Sequence, residues 1–244
     1  MLKQERLNKI TKIIRDNEYG TTEFLAKTLD VSNMTIRRDL DELEKQGQVT
    51  KIYGGAKIIN KELSTEEKQS LNIDLKQQIA KKVASIAQDG QTIFLGAGTT
   101  VIASMPQLIN RNILFITNSL PVFDYMTNLN EKVILTGGKY HKTTQEFVGE
   151  AAINSIRTIN IDVAFGSTNG INKNNITTAN VNEGTIQTAV FSRSELNYIL
   201  CDHTKFDSSD TYTFETLDNI NGVITDDKIS EELLKKYRKL GKII

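Results

Sequence analysis

The first 58 residues hold three amphipathic segments followed by two strand-like segments, and few folds place these elements in this order. Apolar residues recur at helical spacing over residues 3–17, which predicts a first helix. Either Thr21 or Thr22 can cap a second helix. Ser32 can cap a third helix, which we expect to end near Gly47. Four apolar residues are expected on the inward face of this third helix: Met34, Ile36, Leu40 and Leu43.

The third helix is followed by a predicted hairpin. Residues 49–53 and 56–59 have the composition of strands, and the turn signal Gly54-Gly55 lies between them. Three helices and a hairpin predict a winged helix-turn-helix domain over residues 1–58.

Residues 32–40 read Ser-Asn-Met-Thr-Ile-Arg-Arg-Asp-Leu and occupy the position of the second helix of a helix-turn-helix. The first turns of such a helix meet bases and phosphates when it lies in a major groove. Threonine and asparagine can reach base edges, and arginine can bind guanine or a phosphate. Double-stranded operator DNA is therefore the expected partner. The candidate DNA-contacting residues are Thr21, Thr22, Ser32, Asn33, Thr35, Arg37, Arg38, Lys51 and Tyr53.

A non-DNA interaction module is the alternative for this segment. In that case Arg37 and Arg38 are solvated and pair with Asp41 or Glu42 at helical spacing. The chain has 30 basic and 30 acidic residues and no net charge, so a DNA-binding role requires locally concentrated positive charge.

Composition limits the remaining classes. No apolar run approaches the ~20 residues that a membrane span needs, and the N-terminus does not resemble a signal peptide. The single cysteine, Cys201, excludes an intramolecular disulfide framework, and two scattered histidines do not suggest a zinc site. We expect a cytoplasmic protein with no membrane association, no metal and no cofactor.

The remainder of the chain predicts an α/β domain. Residues 59–73 are polar and are interpreted as a linker, with a continuous solvated helix as the alternative, and a helix is predicted over residues 74–88. Beyond it, short apolar runs each end in small and hydroxyl residues, as in an open parallel sheet with its loops at the carboxyl ends of the strands. We place this effector domain at residues 74–244. The predicted strands are 92–95, 113–116, 132–135, 161–165, 198–201, 222–225 and 242–244, with a helix over 230–240 between the last two.

The loops carry candidate ligand-binding residues. The sequence Gly-Ala-Gly-Thr-Thr at residues 96–100 opens a helix whose free N–H groups can bind a phosphate, although a tight turn with threonine caps is the alternative. It matches neither a dinucleotide fingerprint nor a P-loop. Lys205 can meet a phosphate or a sugar hydroxyl and Asp202 can hold that lysine, or the two form a surface ion pair. Glu183 can accept bonds from sugar hydroxyls, or it is only a helix-start carboxylate.

Together these residues resemble the DeoR family of bacterial transcriptional regulators. The N-terminal match consists of Arg6, Ser32, Thr35, Ile36, Arg37, Arg38, Asp39, Leu40, Leu43, Gly47 and Gly54-Gly55-Ala56. The C-terminal match consists of Asp89-Gly90, residues 96–100, Thr117-Asn118-Ser119, Gly137-Gly138, Gly149, Asp162, Gly170, Glu183 and residues 202–206. The match covers nearly the whole chain.

The resemblance implies an effector domain built like ribose-5-phosphate isomerase and a sugar phosphate as effector. We also expect a homo-oligomer, in which paired helix-turn-helix units match two half-sites. Residues 146–150, 202–205 and 211–214 look most like the family's regulators of lactose phosphotransferase operons, which implies tagatose 6-phosphate or a similar effector. The residues implied to bind it are Gly96, Ala97, Gly98, Thr99, Thr100, Asn118, Ser119, Gly138, Glu183, Asp202 and Lys205.

A sugar-phosphate isomerase-like enzyme is the alternative function, because the implied scaffold is that of an isomerase. Such an enzyme needs a positioned carboxylate base and polar groups that stabilise the enediolate. The acidic loop of the isomerases corresponds here to residues 165–169, which contain no carboxylate, and their lysine-glycine loop to residues 177–182, which contain no lysine. We therefore expect a repressor of a sugar-catabolic operon that a phosphorylated sugar releases from DNA, without catalytic activity.

Overall fold

The computed structural model describes residues 3–17, 19–46, 48–58 and 64–244. The chain divides into two compact units, Met1–Glu62 and Leu63–Ile244. In the described residues no helix is long and apolar enough to cross a bilayer.

The first unit is a small helical domain with a three-stranded antiparallel sheet in the order β1-β3-β2. Its core consists of apolar side chains from all three helices, closed by Val49 and Ala56 of the sheet. The side chains of Thr21 and Ser32 each accept a backbone hydrogen bond in the following helix, which confirms both as caps. Its elements are α1 (Lys3–Asn17), β1 (Tyr19–Thr21), α2 (Thr22–Leu29), α3 (Asn33–Lys45), β2 (Val49–Ile52) and β3 (Gly55–Ile58).

Two predictions for this unit were wrong, and two lie outside the described residues. Met34 is 57% exposed rather than inward, because it lies in the first turn of α3 on the side opposite Ile36. Residues 19–21 form a strand, since Tyr19–Thr21 pairs with β3, where no strand was predicted. Gly47, the expected end of α3, and Ile59, in the expected second hairpin strand, are not among the described residues.

The second unit is built around a six-stranded parallel sheet in the order β14-β12-β9-β4-β5-β6. Alternate strand residues enter two apolar clusters: Phe94 and Ala164 belong to one, and Ile93 and Val163 to the other. Both faces of the sheet are therefore covered, as parallel sheets require. The helices are α4 (Thr65–Gln69), α5 (Ile73–Ile86), α6 (Thr99–Ser104), α7 (Leu120–Asn128), α8 (Glu150–Ile156), α9 (Val181–Phe191) and α10 (Glu231–Tyr237).

The parallel strands are β4 (Thr92–Leu95), β5 (Leu114–Thr117), β6 (Val133–Leu135), β9 (Ile161–Ser167), β12 (Ser194–Leu200) and β14 (Gly222–Ile224). The expected strand at 242–244 is reduced to one parallel bridge between Val223 and Ile243. Two small antiparallel sheets were not predicted: β7 (Lys139–His141) pairs with β8 (Glu146–Val148), and β11 (Asn175–Thr178) lies between β10 (Gly170–Asn172) and β13 (Tyr212–Thr216).

The region predicted as a linker, residues 59–73, is described from residue 64 onward. Ser64 caps α4 in a reciprocal capping box with Glu67, and α4 ends after little more than one turn. Three residues later α5 begins at Ile73, close to the helix predicted over residues 74–88. The described part of the predicted linker therefore contains α4, a break and the first residue of α5, and α4 is the first described element of the second unit.

Candidate functional site

The first turns of α3 present polar side chains to solvent. Asn33, Arg37 and Arg38 are exposed, while the Thr35 hydroxyl lies 2.9 Å from the Ser32 hydroxyl as part of the cap. In the described part of the chain, neither Arg37 nor Arg38 makes an ion pair or a side-chain hydrogen bond, so their guanidinium groups are available to DNA.

The acidic residues that were expected to pair with these arginines have other partners. Lys51 Nζ lies 2.5 Å from Asp41 Oδ1, and the hydrogen bond to that carboxylate raises the pKa of Lys51. Lys3 Nζ lies 2.5 Å from Glu42 Oε2. The alternative of solvated arginines paired along α3 is therefore not what the structure contains. Lys51 ties the wing to α3, and Tyr53 lies fully exposed in the turn between β2 and β3.

Two residues of the motif hold the domain together. Arg6 donates to the two carboxylate oxygens of Asp39 at 2.6 and 3.2 Å, and the side chain of Asp39 is only 2% exposed. This bidentate pair fastens α1 to α3 and thereby fixes the orientation of the exposed face of α3. Thr21 and Thr22 lie at the start of α2, where Thr21 is exposed and Thr22 half-buried.

A pocket lies in the second unit, at the carboxyl ends of β4, β9 and β12. One wall comes from α4 and the start of α5, and the loop after β12 also contributes to the lining. Open α/β sheets bind their ligands at this edge. The lining residues are Thr65, Lys68, Leu71, Asn72, Lys76, Ala97, Gly98, Thr99, Thr100, Thr144, Ser167, Thr168, Asn169, Glu183, Leu200, Cys201, Asp202 and Lys205.

Seven of the predicted effector-binding residues line this pocket: Ala97, Gly98, Thr99, Thr100, Glu183, Asp202 and Lys205. Four do not. The Gly96 N–H donates to Phe165 O within the sheet, and Asn118 donates to Glu146 Oε2 at 2.9 Å. Ser119 is 1% exposed, and a side chain at Gly138 would lie 2.8 Å from the backbone oxygen of Val148. The positions of these four give them structural contacts beside the site.

The backbone of the loop after β4 passes unusually close to the end of β9. Gly98 has φ +143°, and a Cβ atom there would lie 2.6 Å from Ser167 Oγ. That hydroxyl donates to Ala97 O at 2.6 Å and ties the loop to β9. No side chain caps the first turn of α6, so its N–H groups can serve a ligand oxygen.

Two lysines of the pocket were missed from the sequence. Lys76 is 5% exposed, and its ammonium donates to the backbone oxygen of Lys68 at 2.7 Å. Burial lowers the pKa of Lys76, and the charges of Lys205 and Lys68 act in the same direction while that of Asp202 opposes them. Lys68 Nζ donates to Asn169 Oδ1 at 3.3 Å. The sequence contained an indication for Lys76, because this lysine shares the inward face of α5 with Ile79 and Ala80 at helical spacing.

Asp202 is buried and ionised. Burial opposes its charge, but hydrogen bonds from Thr204 and Asn72 and the charge of Lys205 outweigh it and hold its pKa below the ordinary value. Asp202 does not pair with Lys205 in the described structure. It caps the single helical turn at residues 203–205 instead. Lys205 is consequently left to face the pocket.

The pocket thus holds three lysines, at 68, 76 and 205, and two carboxylates, at 183 and 202. Glu183 accepts a hydrogen bond from Thr178 Oγ1 at 2.6 Å. Cys201 is buried and burial raises the pKa of its thiol, which disfavours the thiolate that a nucleophile requires. The described residues contain no cluster of metal ligands. This charge and donor pattern suits an anion that also carries hydroxyl groups.

Comparisons with known proteins agree with both units. Residues 6–62 match the DeoR-like helix-turn-helix domain, and residues 71–227 match the DeoR C terminal sensor domain. The chain is 38% identical to a lactose phosphotransferase system repressor from Staphylococcus aureus, over 97% of this chain and 98% of the relative. It is 37% identical to the protein of that name from Lactococcus lactis, over 100% of this chain and 99% of the relative.

Solved structures of ribose-5-phosphate isomerase overlap part of the fold. The enzyme from Methanocaldococcus jannaschii aligns with a TM-score of 0.43 and 17% identity over 55% of each chain. The enzyme from Plasmodium falciparum aligns with a TM-score of 0.41 and 22% identity over 55% of this chain and 53% of the other. This partial overlap says nothing about activity, whereas the two relatives that match over nearly their whole length are named as repressors. With matching models for its helix-turn-helix and sensor domains and close relatives over its full length, the chain belongs to the DeoR family.

Proposed function

We propose that this protein represses a sugar-catabolic operon for lactose or galactose, and that a phosphorylated sugar releases it from the operator. The proposed effector is tagatose 6-phosphate or a similar sugar phosphate. The observation that carries the effector proposal is the pocket at the carboxyl edge of the sheet, which is lined by three lysines and by a glycine-threonine loop. The names of the relatives support the choice of operon.

A sugar phosphate satisfies the chemistry of this pocket better than a neutral sugar. Lys68, Lys76 and Lys205 bring three ammonium groups to one cavity, and the lowered pKa of Lys76 reflects the cost of keeping a charge there. A phosphate dianion offsets that cost and accepts from the loop at residues 98–100. Glu183 and Asp202 are then suited to accept hydrogen bonds from sugar hydroxyls.

The helix α4 is the first described element after the boundary between the two units, and polar contacts connect it to the pocket. Lys76 bonds the end of α4 through Lys68 O, Asn72 Nδ2 donates to Asp202 Oδ2 at 3.2 Å, and Thr65 Oγ1 donates to Thr144 O at 2.8 Å. The sequence of α4, Thr-Glu-Glu-Lys-Gln, has no apolar side chain, so polar contacts hold it in place. A ligand that binds the ammonium groups of Lys68 and Lys76 replaces their present hydrogen bonds to Asn169 and to the backbone of α4.

We infer that the repressor is an oligomer whose paired helix-turn-helix units match half-sites roughly 34 Å apart, or multiples of that spacing. The sugar phosphate shifts the population towards an arrangement that loses this spacing. It can do so only by binding the released state more tightly, by about 1–3 kcal/mol for typical coupling.

A gel-shift titration of the full-length protein on its own promoter tests the proposal. Tagatose 6-phosphate and galactose 6-phosphate are compared with unphosphorylated tagatose and inorganic phosphate. We expect a phosphorylated sugar to release the DNA and the unphosphorylated sugar to have no effect. No release by any sugar phosphate would remove the effector, and turnover of a sugar phosphate by the protein would favour the isomerase alternative.

A further inference from the structure

The outward ridge of α3 can be read from its buried face. Ile36, Leu40 and Leu43 are buried, and residues of an α-helix advance by about 100° each. The direction opposite to these three side chains falls on Met34, Arg38 and Lys45. Met34 is 57% exposed, and Arg37 and Arg38 follow it at helical spacing on the same face. A thioether side chain therefore occupies the centre of the solvent face in the first turn.

The later turns of α3 carry acidic side chains that contact the wing. Asp41 is paired with Lys51, and Glu44 Oε1 accepts the backbone N–H of Lys51 at 2.9 Å. Carboxylates along this part of the helix repel phosphates. Lys45 is also exposed in the last turn, where a lysine suits a phosphate. Since a recognition helix contacts base edges with its N-terminal residues, the residues for base contact are those of the first two turns, and Met34 is the exposed apolar one among them.

We propose that Met34 reads a thymine in the operator through an apolar contact with its 5-methyl group. This inference rests on the proposed function only in that the protein binds operator DNA. The thymine methyl is the one apolar group that a base pair presents in the major groove. Asn33, Arg37 and Arg38 need polar base edges or phosphates as partners. An unbranched, polarizable methionine side chain adapts to a methyl group and has no use for the polar edges.

The test uses the full-length protein and the operator located by footprinting. Each thymine of the operator is replaced in turn by deoxyuridine, which removes only the methyl group, and affinity is measured by fluorescence anisotropy at fixed salt. We expect the wild type to lose about fourfold in affinity at one thymine of each half-site, which is the ratio for about 0.8 kcal/mol per buried methyl group. Met34→Ala should show the same affinity for that thymine as for deoxyuridine.

Two variants serve as controls. Met34→Leu keeps an apolar contact and should retain the sensitivity to deoxyuridine. Phe24→Ala shortens another exposed apolar residue, 49% exposed on α2, and should retain it as well. Because Met34 is exposed, its replacement leaves the core of the domain intact, and thermal unfolding of the variant should match the wild type.

The inference is overturned if Met34→Ala keeps the sensitivity of the wild type at every thymine, or if the wild type is insensitive at all of them. Failure of the wild type to bind its promoter at all would instead refute the DNA-binding part of the proposed function. The two failures are thus distinguishable in one experiment.

Discussion

Replacement of Gly98 by alanine tests the geometry of the loop after β4, where the phosphate is proposed to bind. Gly98 has φ +143°, in a region that side chains rarely adopt, and its new Cβ would lie 2.6 Å from Ser167 Oγ and 2.7 Å from Ser167 Cβ. The substitution therefore strains the backbone and also pushes the loop away from β9. We expect it to destabilise the second unit and to abolish the response to the effector.

The magnitude follows from two separate costs. Backbone strain of this kind costs about 1–3 kcal/mol, and overpacking against a neighbour costs a further ~1–3 kcal/mol. Gly90→Ala is the matched control, since Gly90 has φ +88° but its Cβ would have no neighbour within 4 Å. Only the strain, roughly 1–2 kcal/mol, applies there.

Thermal unfolding of both variants measures the difference. In a domain of this size a loss of at least ~2 kcal/mol lowers the Tm by about 4 °C or more. Gly98→Ala should also fail to release DNA when a sugar phosphate is added, because the loop at residues 96–100, which is proposed to receive the phosphate, has moved. Gly90→Ala should respond as the wild type does.

The double variant Gly98→Ala/Ser167→Gly removes the steric contact and leaves the strain. It should recover part of the stability that Gly98→Ala loses, even though it forfeits the hydrogen bond from Ser167 Oγ to Ala97 O. Equal stability of the single and double variants, measured by urea unfolding, would refute the steric argument. An unimpaired effector response in Gly98→Ala would refute the assignment of the loop to the ligand.

Three further substitutions separate the two units and the charges of the pocket. Arg37→Ala should weaken operator binding by about 1–3 kcal/mol if the arginine reads a base, while calorimetric titration shows unchanged sugar-phosphate binding. Lys205→Ala should bind the operator normally in gel shifts and resist release by the sugar phosphate, and the opposite phenotype in either variant would overturn this division. The pKa of Asp202 lies below its ordinary 3.8 in the folded state, so the carboxylate stabilises the fold above that pH. The stability deficit of Asp202→Asn in urea unfolding should therefore be largest near neutrality and shrink as the pH falls through the folded pKa; a deficit independent of pH would contradict it.

The strands of the large sheet could be predicted from sequence because each is a short apolar run followed by a polar loop. The strand β4 has the predicted bounds, residues 92–95, and β9 begins where expected. The small sheets could not be found in this way. β11 lies in what reads as a polar loop, and it is a strand because it pairs with β10 and with β13. β10 and β11 form a tight hairpin, but β13 is far away in the sequence, and pairing with such a distant strand leaves no local period.

The part of the pocket that is formed by the loops of the large sheet could also be predicted from the sequence. Loops at the carboxyl ends of strands can be read from the order of elements, and Ala97, Gly98 and Asp202 were found in that way. The lysines of α4 and α5 were not, because a lysine in an amphipathic helix usually faces solvent. Met34 was misassigned on the opposite assumption, that an apolar residue in a helix faces the core.

The helix α4 contributes side chains to the pocket of the sensor domain but none to its apolar core. This helix contributes Thr65 and Lys68 to the pocket, yet none of its side chains enters either apolar cluster of the domain. Substitutions along this wall can therefore alter the lining of the pocket while the central sheet stays as it is. If the pocket binds the effector as proposed, a lineage of such sensors can acquire new effectors by exchanging a few side chains of α4, without a change in the apolar core.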